Sequence, residues 1–459
     1  MPFTNLPPAA TLHRRQFIRM GAMAAGALTV GARSPADTVA RDQTAPSVSA
    51  EACGAEVPLA WFELAQTLVR TTPGFTPPVA ARLFGYAGVA LYEAVVPGMP
   101  RHRSLAGQLD GLRRPPAHGP GQRQLDWPSV ANAALGGIIR RLVPTSEATL
   151  AVDALDQQLA TSLERDVERQ ISRQSRRHGE QVAAAIFAWS TTDGGHDGRL
   201  HNFPDSYVPP EGAGLWEPTP PDFVGALQPR WGTNRTMLPG LVASAAPAAP
   251  LSYSDDPASA FFAEAREVYE TVNALTEEQR EIARFWSDDP GATATPAGHS
   301  ISILSHVLTA RRASLALAAE AFARLGIALS DGFVCCWATK YQYNVLRPVT
   351  FITAHIDPGW SDRLPLVTPP FPEHTSGHSV QSAAMSRVLT ALFGHVAFTD
   401  RTHAGRGLPA RSFTSFEAAA EEAAISRLYG GIHFRRAIEA GLDQGAAIGD
   451  AVNRLQFVR

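Results

Sequence analysis

Residues able to do chemistry gather in three short segments of the C-terminal third. The first is Lys340-Tyr341-Gln342-Tyr343-Asn344-Val345-Leu346-Arg347-Pro348, and it holds the single lysine among 40 basic residues. A chain that uses arginine everywhere else keeps one compact, three-donor ammonium here, where a planar fork would not serve. Read as part of an apolar helix from Phe333 to Ile352, the spacing brings Lys340 and Arg347 onto one face, two turns apart, before Pro348 stops or kinks it. Two cations so placed are costly unless an anion lies between them. The second segment is Pro369-Pro370-Phe371-Pro372-Glu373-His374-Thr375-Ser376-Gly377-His378. Its prolines make a stiff, extended approach, and Gly377 permits a tight turn into a helix starting near His378. The free N–H groups beside Ser376 and Gly377 then form a ready anion site. His374 and His378 would make a metal pair only on a continuous helix, which the prolines and the Ser-Gly pair argue against. The third is Ser426-Arg427-Leu428-Tyr429-Gly430-Gly431-Ile432-His433, where a helix ends at the glycine pair and delivers His433 just past the turn.

Taken singly, these residues have ordinary readings: a snorkelling arginine, a structural histidine. Together they make a set. Lys340, Arg347 and Arg427 are fixed cations, Ser376 and the Gly377 N–H are neutral donors, and His378 and His433 are two imidazoles. A tetrahedral oxyanion such as phosphate or vanadate needs this combination. Cations neutralise its charge and arginine forks grip oxygen pairs. One imidazole attacks or ligates the central atom while the other moves a proton on the opposite side.

The elements that must position this set read as helices. Apolar residues recur at three- and four-residue spacing over 57–70, 78–95, 129–142, 147–189, 257–272, 276–286, 300–325, 331–354, 377–393, 414–429 and 435–457. Thr145 offers an N-cap before the fourth of these. A Gly/Pro-rich interval from Thr191 to Asp256 is too long for an idle loop and either carries function or wraps the body. No alternating strand pattern exceeds four residues. The expected fold is all-α, built of helical bundles with that long wrapping loop. Residues 41–274 read as an N-terminal helical layer and loop, and 275–459 as the catalytic core integrated with it. With a net charge of −3 and no basic patch, nucleic acid is not expected as a partner. Three cysteines build no disulfide framework, and adjacent Cys335 and Cys336 read as core. Residues 1–40 read as a twin-arginine leader: Arg14-Arg15 precedes an apolar small-residue run from Met20 to Val30, with small-residue cleavage points after Ala32 or Ala40. Export to the periplasm or beyond follows, with a mature charge of about −6. No other tract reads as long enough to span a membrane.

In order and internal spacing, Lys340-x6-Arg347-Pro348, Thr375-Ser376-Gly377-His378 and Ser426-Arg427-x5-His433 resemble the three-part signature of the vanadium-dependent haloperoxidase and type 2 phosphatidic acid phosphatase superfamily. The runs from Phe285 to Gly291, Thr295 to His299, Trp216 to Pro221 and Pro369 to Pro372 resemble its bacterial haloperoxidase-like branch, so the likeness spans roughly 57–459. The resemblance implies that His433 is the axial ligand of vanadate, or the phosphorylated nucleophile of a phosphatase. It makes His378 the acid–base histidine, with Lys340, Arg347, Arg427, Ser376 and Gly377 on the equatorial oxygens. Asp289 resembles an acid that pairs with a pocket arginine, with Asp288 as its neighbour. Phe371 stands where chloroperoxidase-like members carry an aromatic residue, which is consistent with a chloride-type pocket but does not fix the halide. Thr375 replaces a customary proline. Ala437 replaces a customary aspartate that orients the second histidine.

The implied activity is a vanadate-dependent haloperoxidase that oxidises halide, or a small organic acceptor, with hydrogen peroxide through a histidine-ligated peroxovanadate. Phosphate fits the same site, so the alternative is an exported acid phosphatase with His433 as nucleophile. The missing aspartate at 437 tilts the reading to the peroxidase. A non-catalytic oxyanion-binding protein is the third reading, and the paired histidines speak against it.

Overall fold

The computed structural model describes residues 48–116, 124–165 and 167–459. The leader read at 1–40 lies outside the described residues. In chain order the α-helices are α1 Glu56–Thr71, α2 Pro77–Val95, α3 Trp127–Leu142, α4 Ser146–Leu163, α5 Arg169–Ser190, α6 Leu241–Ser244, α7 Ala260–Asn273, α8 Glu277–Phe285, α9 Thr295–Ala310, α10 Leu315–Tyr343, α11 Pro348–His355, α12 Gly377–Phe393, α13 Phe416–Tyr429 and α14 Arg435–Asn453. Two three-residue strands, β1 Phe398–Asp400 and β2 Arg411–Phe413, form an antiparallel hairpin with Thr399 opposite Ser412. The fold is all-α, and Ser47–Arg459 form one compact unit.

The hydrophobic core centres on α10, which packs along α2 and also meets α12 and α14. A second, smaller core joins α7, α11 and α14 through an aromatic cluster of Phe261, Phe351 and Phe434. Both α2 and α10 are long and apolar enough to cross a membrane, which corrects the sequence expectation. Their apolar windows are 100% and 89% buried inside the protein, as core helices are. Helix α14 meets α12 along Gly441 and Gly445. A Cβ on Gly445 would stand 2.2 Å from the Val380 carbonyl oxygen, and one on Gly441 would stand 2.9 Å from that of Ser376. Glycine there lets the start of α14, just past His433, lie against the start of α12.

Helix boundaries differ from the periodicity in three places. The 147–189 run is two helices, parted by the turn around Glu164 and Arg165. The expected break near 326–330 is absent. Helix α9 instead ends at Ala310, Arg312 beyond it has φ 48°, and Ser314 caps α10 by accepting the Leu317 N–H. The continuous helix through Lys340 and Arg347 is also corrected. Helix α10 ends at Asn344 in the left-handed conformation, φ 47° and ψ 40°, a tolerated state for asparagine. Arg347, preceding proline, is extended at φ −83° and ψ 154° and caps α11.

The interval 191–256 does wrap the body, and its grip is specific. Trp216 N–H donates to Asn344 O at 2.6 Å and Leu346 N–H to Gly214 O at 3.0 Å. Leu227 O accepts from Tyr341 Oη and Trp337 Nε1, while Leu227 N–H donates to Pro370 O. The loop thus clamps the link between Lys340 and Arg347 and ties it to the proline strap.

Candidate active site

Lys340 lies on the last turn of α10, fully buried. Its Nζ donates to the carbonyls of Pro372 and Glu373 at 2.9 and 3.0 Å, which engages two of its three protons. Arg347, also fully buried, donates from Nε to Phe371 O and from Nη1 to Ile432 O, each at 2.8 Å. Both cations lie against the Phe371 ring, Lys340 Nζ 4.9 Å and Arg347 Cζ 4.8 Å from its centroid. The strap 369–373 therefore holds both cations by its carbonyls. Arg427 is buried at the end of α13 and donates to Trp286 O at 2.7 Å and Ser426 Oγ at 2.9 Å.

Ser376 is the N-cap of α12, and its N–H donates to Ala437 O at 3.0 Å. Gly377 opens the helix on free space: a Cβ there would meet nothing nearer than Phe333 at 3.9 Å. His378 follows on the first turn. His374, in contrast, turns away and meets Ala248 O, so the two histidines form no pair.

His433 is fixed from both sides. Its Nδ1 is 2.8 Å from Glu373 Oε1, and its Nε2 is 3.2 Å from Arg347 Nη1. Guanidinium only donates, so Nε2 accepts and the ring proton sits on Nδ1, donated to Glu373. Burial, then Arg347, Lys340 and Arg427, push the His433 imidazolium well down and keep the ring neutral. The result is a neutral imidazole with its Nε2 lone pair among three cations. Glu373 Oε1 also accepts the Phe434 N–H at 2.9 Å. The carboxylate expected at 437 is thus delivered from the strap. Sequence reading missed it because Glu373 is remote in the chain from His433, although it lies within the quoted motif.

Charge in the pocket is strained by desolvation. Burial, with Arg347 adding to it, lowers Lys340 to about 7. Burial lowers both arginines to about 10, and raises Glu373 to about 8 against the pull of Arg347 and Lys340. An anion between the cations would relieve this. Two buried polar atoms without a protein partner fit that occupant: Arg347 Nη2, a donor, and His378 Nε2.

Asp289 is exposed, and no hydrogen bond joins it to an arginine among the described residues. The buried acid at the pocket is Asp288, whose φ of 48° turns its side chain inward. Its Oδ2 lies 4.0 Å from His378 Nε2 and 2.9 Å from His299 Nδ1. His299, Asp400 and His403 were also missed as site neighbours. Asp400 and His403 belong to the hairpin, 101 or more residues after His299, and only the fold brings them to it.

A family model for the VCPO second helical-bundle domain matches residues 320–458. A solved bacterial vanadium-dependent iodoperoxidase, described as the first of its kind, superposes with TM-score 0.80 at 36% identity, covering 88% of this chain and 97% of that one. This chain belongs to the vanadium-dependent haloperoxidases. A holo bacterial vanadium-dependent chloroperoxidase shares the fold at TM-score 0.62 and 17% identity, over 84% of this chain and 93% of that one. Its apo form does so at 0.62 and 16%, over 84% and 95%. No curated protein sequence matches the chain. In this haloperoxidase, contacts of the Glu373 strap with Lys340, Arg347 and His433 bring the first and third sequence segments together.

Proposed function

We propose that this chain oxidises halide with hydrogen peroxide at a vanadate held by His433 Nε2, with Lys340, Arg347, Arg427, Ser376 and the Gly377 N–H on its oxygens. The carrying observation is the neutral His433, its proton committed to Glu373 and its lone pair among three buried cations. Vanadate, when bound, supplies the Lewis-acid centre that activates peroxide. Lys340 offers its remaining proton to one oxygen, a task suited to a point charge. Burial, with Arg427 adding to it, pushes the His378 imidazolium well down, so its unpartnered Nε2 is free to take a proton from an incoming peroxide.

The 36% identity to an iodoperoxidase supports iodide as the preferred halide. Phe371, consistent in sequence with a chloride-type pocket, packs against Lys340 and Arg347, a role independent of the halide. With Glu373 serving His433, Ala437 no longer separates peroxidase from phosphatase. Family membership supports the peroxidase.

The test is peroxide-driven oxidation of iodide, bromide and chloride with and without added vanadate. Oxidation is expected only with vanadate, fastest with iodide, and lost in His433→Ala. Vanadate-inhibited hydrolysis of p-nitrophenyl phosphate, without halide oxidation, would overturn the reading. The arginine pair at 14 and 15 supports export of the mature enzyme, and replacing both with lysine is expected to retain it in the cytoplasm.

A further inference from the structure

Behind His378 lies a cluster that the reaction above does not use. His299, on the first turns of α9, is buried between two carboxylates. Its Nδ1 is 2.9 Å from Asp288 Oδ2 and its Nε2 is 2.6 Å from Asp400 Oδ2. The Trp286 indole stacks on the ring at 4.5 Å and 17°, and Phe285 closes its edge. Asp400 is itself held by the N–H and hydroxyl of Thr402, at 2.8 and 2.6 Å. A neutral imidazole would turn a lone pair against one of these carboxylates, whereas an imidazolium donates to both.

We propose that His299 is a permanently charged imidazolium, and that it and Asp400 are positioning residues that keep Asp288 ionised and aimed at His378. This rests on His378 being the acid–base residue of the proposed activity. Burial alone would discharge His299, but Asp288 and Asp400 outweigh it and raise the ring to about 10. Burial alone would likewise protonate Asp288, but His299, then His403, hold it far below the ordinary carboxylate range. The other charged groups do not replace His299. His403 Nε2 is 3.3 Å from Asp288 Oδ1 but not aligned for a hydrogen bond. Arg427 of α13 acts on Asp288 through space and gives its hydrogen bonds to the Ser426 hydroxyl and to carbonyls. His378 itself is depressed, and Asp289, Arg401, Arg406 and His306 act further out. Asp288, His299 and His403 also approach closely enough to suggest a cation site. With both His299 nitrogens committed to carboxylates, no ring lone pair is left for a metal.

Asp288 raises His378 by its charge, so losing that charge makes His378 easier to deprotonate. Nitrogen-15 histidine NMR on the unsubstituted protein, without vanadate, reads the first half of the proposal independently of the assigned activity. His299 is expected to keep both ring protons at about pH 8, where an ordinary histidine of pKa ~6.5 is neutral. A bare ring nitrogen there would overturn the proposal. For the second half, Asp288→Asn is expected to move the acid limb of kcat/KM for peroxide down by about half a pH unit or more, and His299→Gln to move it down by less, because the charge of His299 itself also lowers His378. The double variant should shift the limb no further than His299→Gln alone, since the Asp288 charge is already lost there. Asp400→Asn serves if His299→Gln does not fold, and should shift the limb the same way. Variants that lose thermal stability while leaving the limb in place would reduce the cluster to a structural one and overturn the positioning role.

Discussion

Each cation of the pocket is held by a backbone carbonyl, and the one carboxylate on His433 comes from the strap. Glu373→Ala would leave the His433 and Phe434 N–H groups unpaired in a buried site, a cost of about 1–3 kcal/mol. Vanadate affinity is expected to fall ~10- to 100-fold in a binding titration, as when the outer partner of a metal-bound histidine is removed. Glu373→Gln, whose amide oxygen still accepts both bonds, should stay near the unsubstituted value; an equal loss would mean that charge and not orientation is what matters. Lys340 carries the pH dependence. Its folded pKa is depressed to about 7 from 10.5, chiefly by burial, so its ammonium is present below that pH and needs proton uptake above it. Anion affinity should weaken as pH rises past about 7, and Lys340→Met should flatten the dependence; parallel slopes would contradict it. Lys340, Arg347, Ser376, Gly377, His378, Arg427 and His433 were legible because each sits in a short motif with fixed spacing. Glu373, Asp288 and His299 were not, because their partners lie 60, 11 and 101 residues away.

At the scale of elements, the pocket depends on how closely α12 and α14 approach. Gly445→Ala would drive a methyl against the Val380 carbonyl, 2.2 Å away, and overpacking of this kind costs about 1–3 kcal/mol. A lowered thermal midpoint together with weakened anion binding is the expected result, measured by calorimetry and titration. Unchanged stability would mean that the helices do not meet as described. The start and end of α12 could be read directly from sequence, because a glycine turn and a clean helical period bound it. The break between Lys340 and Arg347 could not. Apolar residues continue through it, and only the left-handed Asn344, gripped by a loop more than a hundred residues earlier, ends the helix.

Over the whole molecule, the chemistry proposed has a counterpart in composition. Hypohalous acid attacks sulfur groups and amines readily. The one lysine of the chain is buried, and Met99, Met237 and Met385 are buried, as are all eight tryptophans. The folded enzyme should therefore survive added hypohalous acid with these residues unmodified in peptide mass maps. Leu150→Met, at an exposed position, should gain a sulfoxide first; oxidation of Met237 or Met385 ahead of it would refute a protected interior. The all-helical class and the wrapping loop were visible in the sequence, while the path of the loop, set by hydrogen bonds to remote backbone, was not. Most direct of all is a crystal of the enzyme soaked in vanadate. The account predicts the metal bonded to His433 Nε2, its oxygens on Lys340, Arg347, Arg427, Ser376 and the Gly377 N–H, and His378 on the opposite side. Vanadate bound elsewhere, or with His433 still on Arg347 and making no bond to the metal, would contradict it.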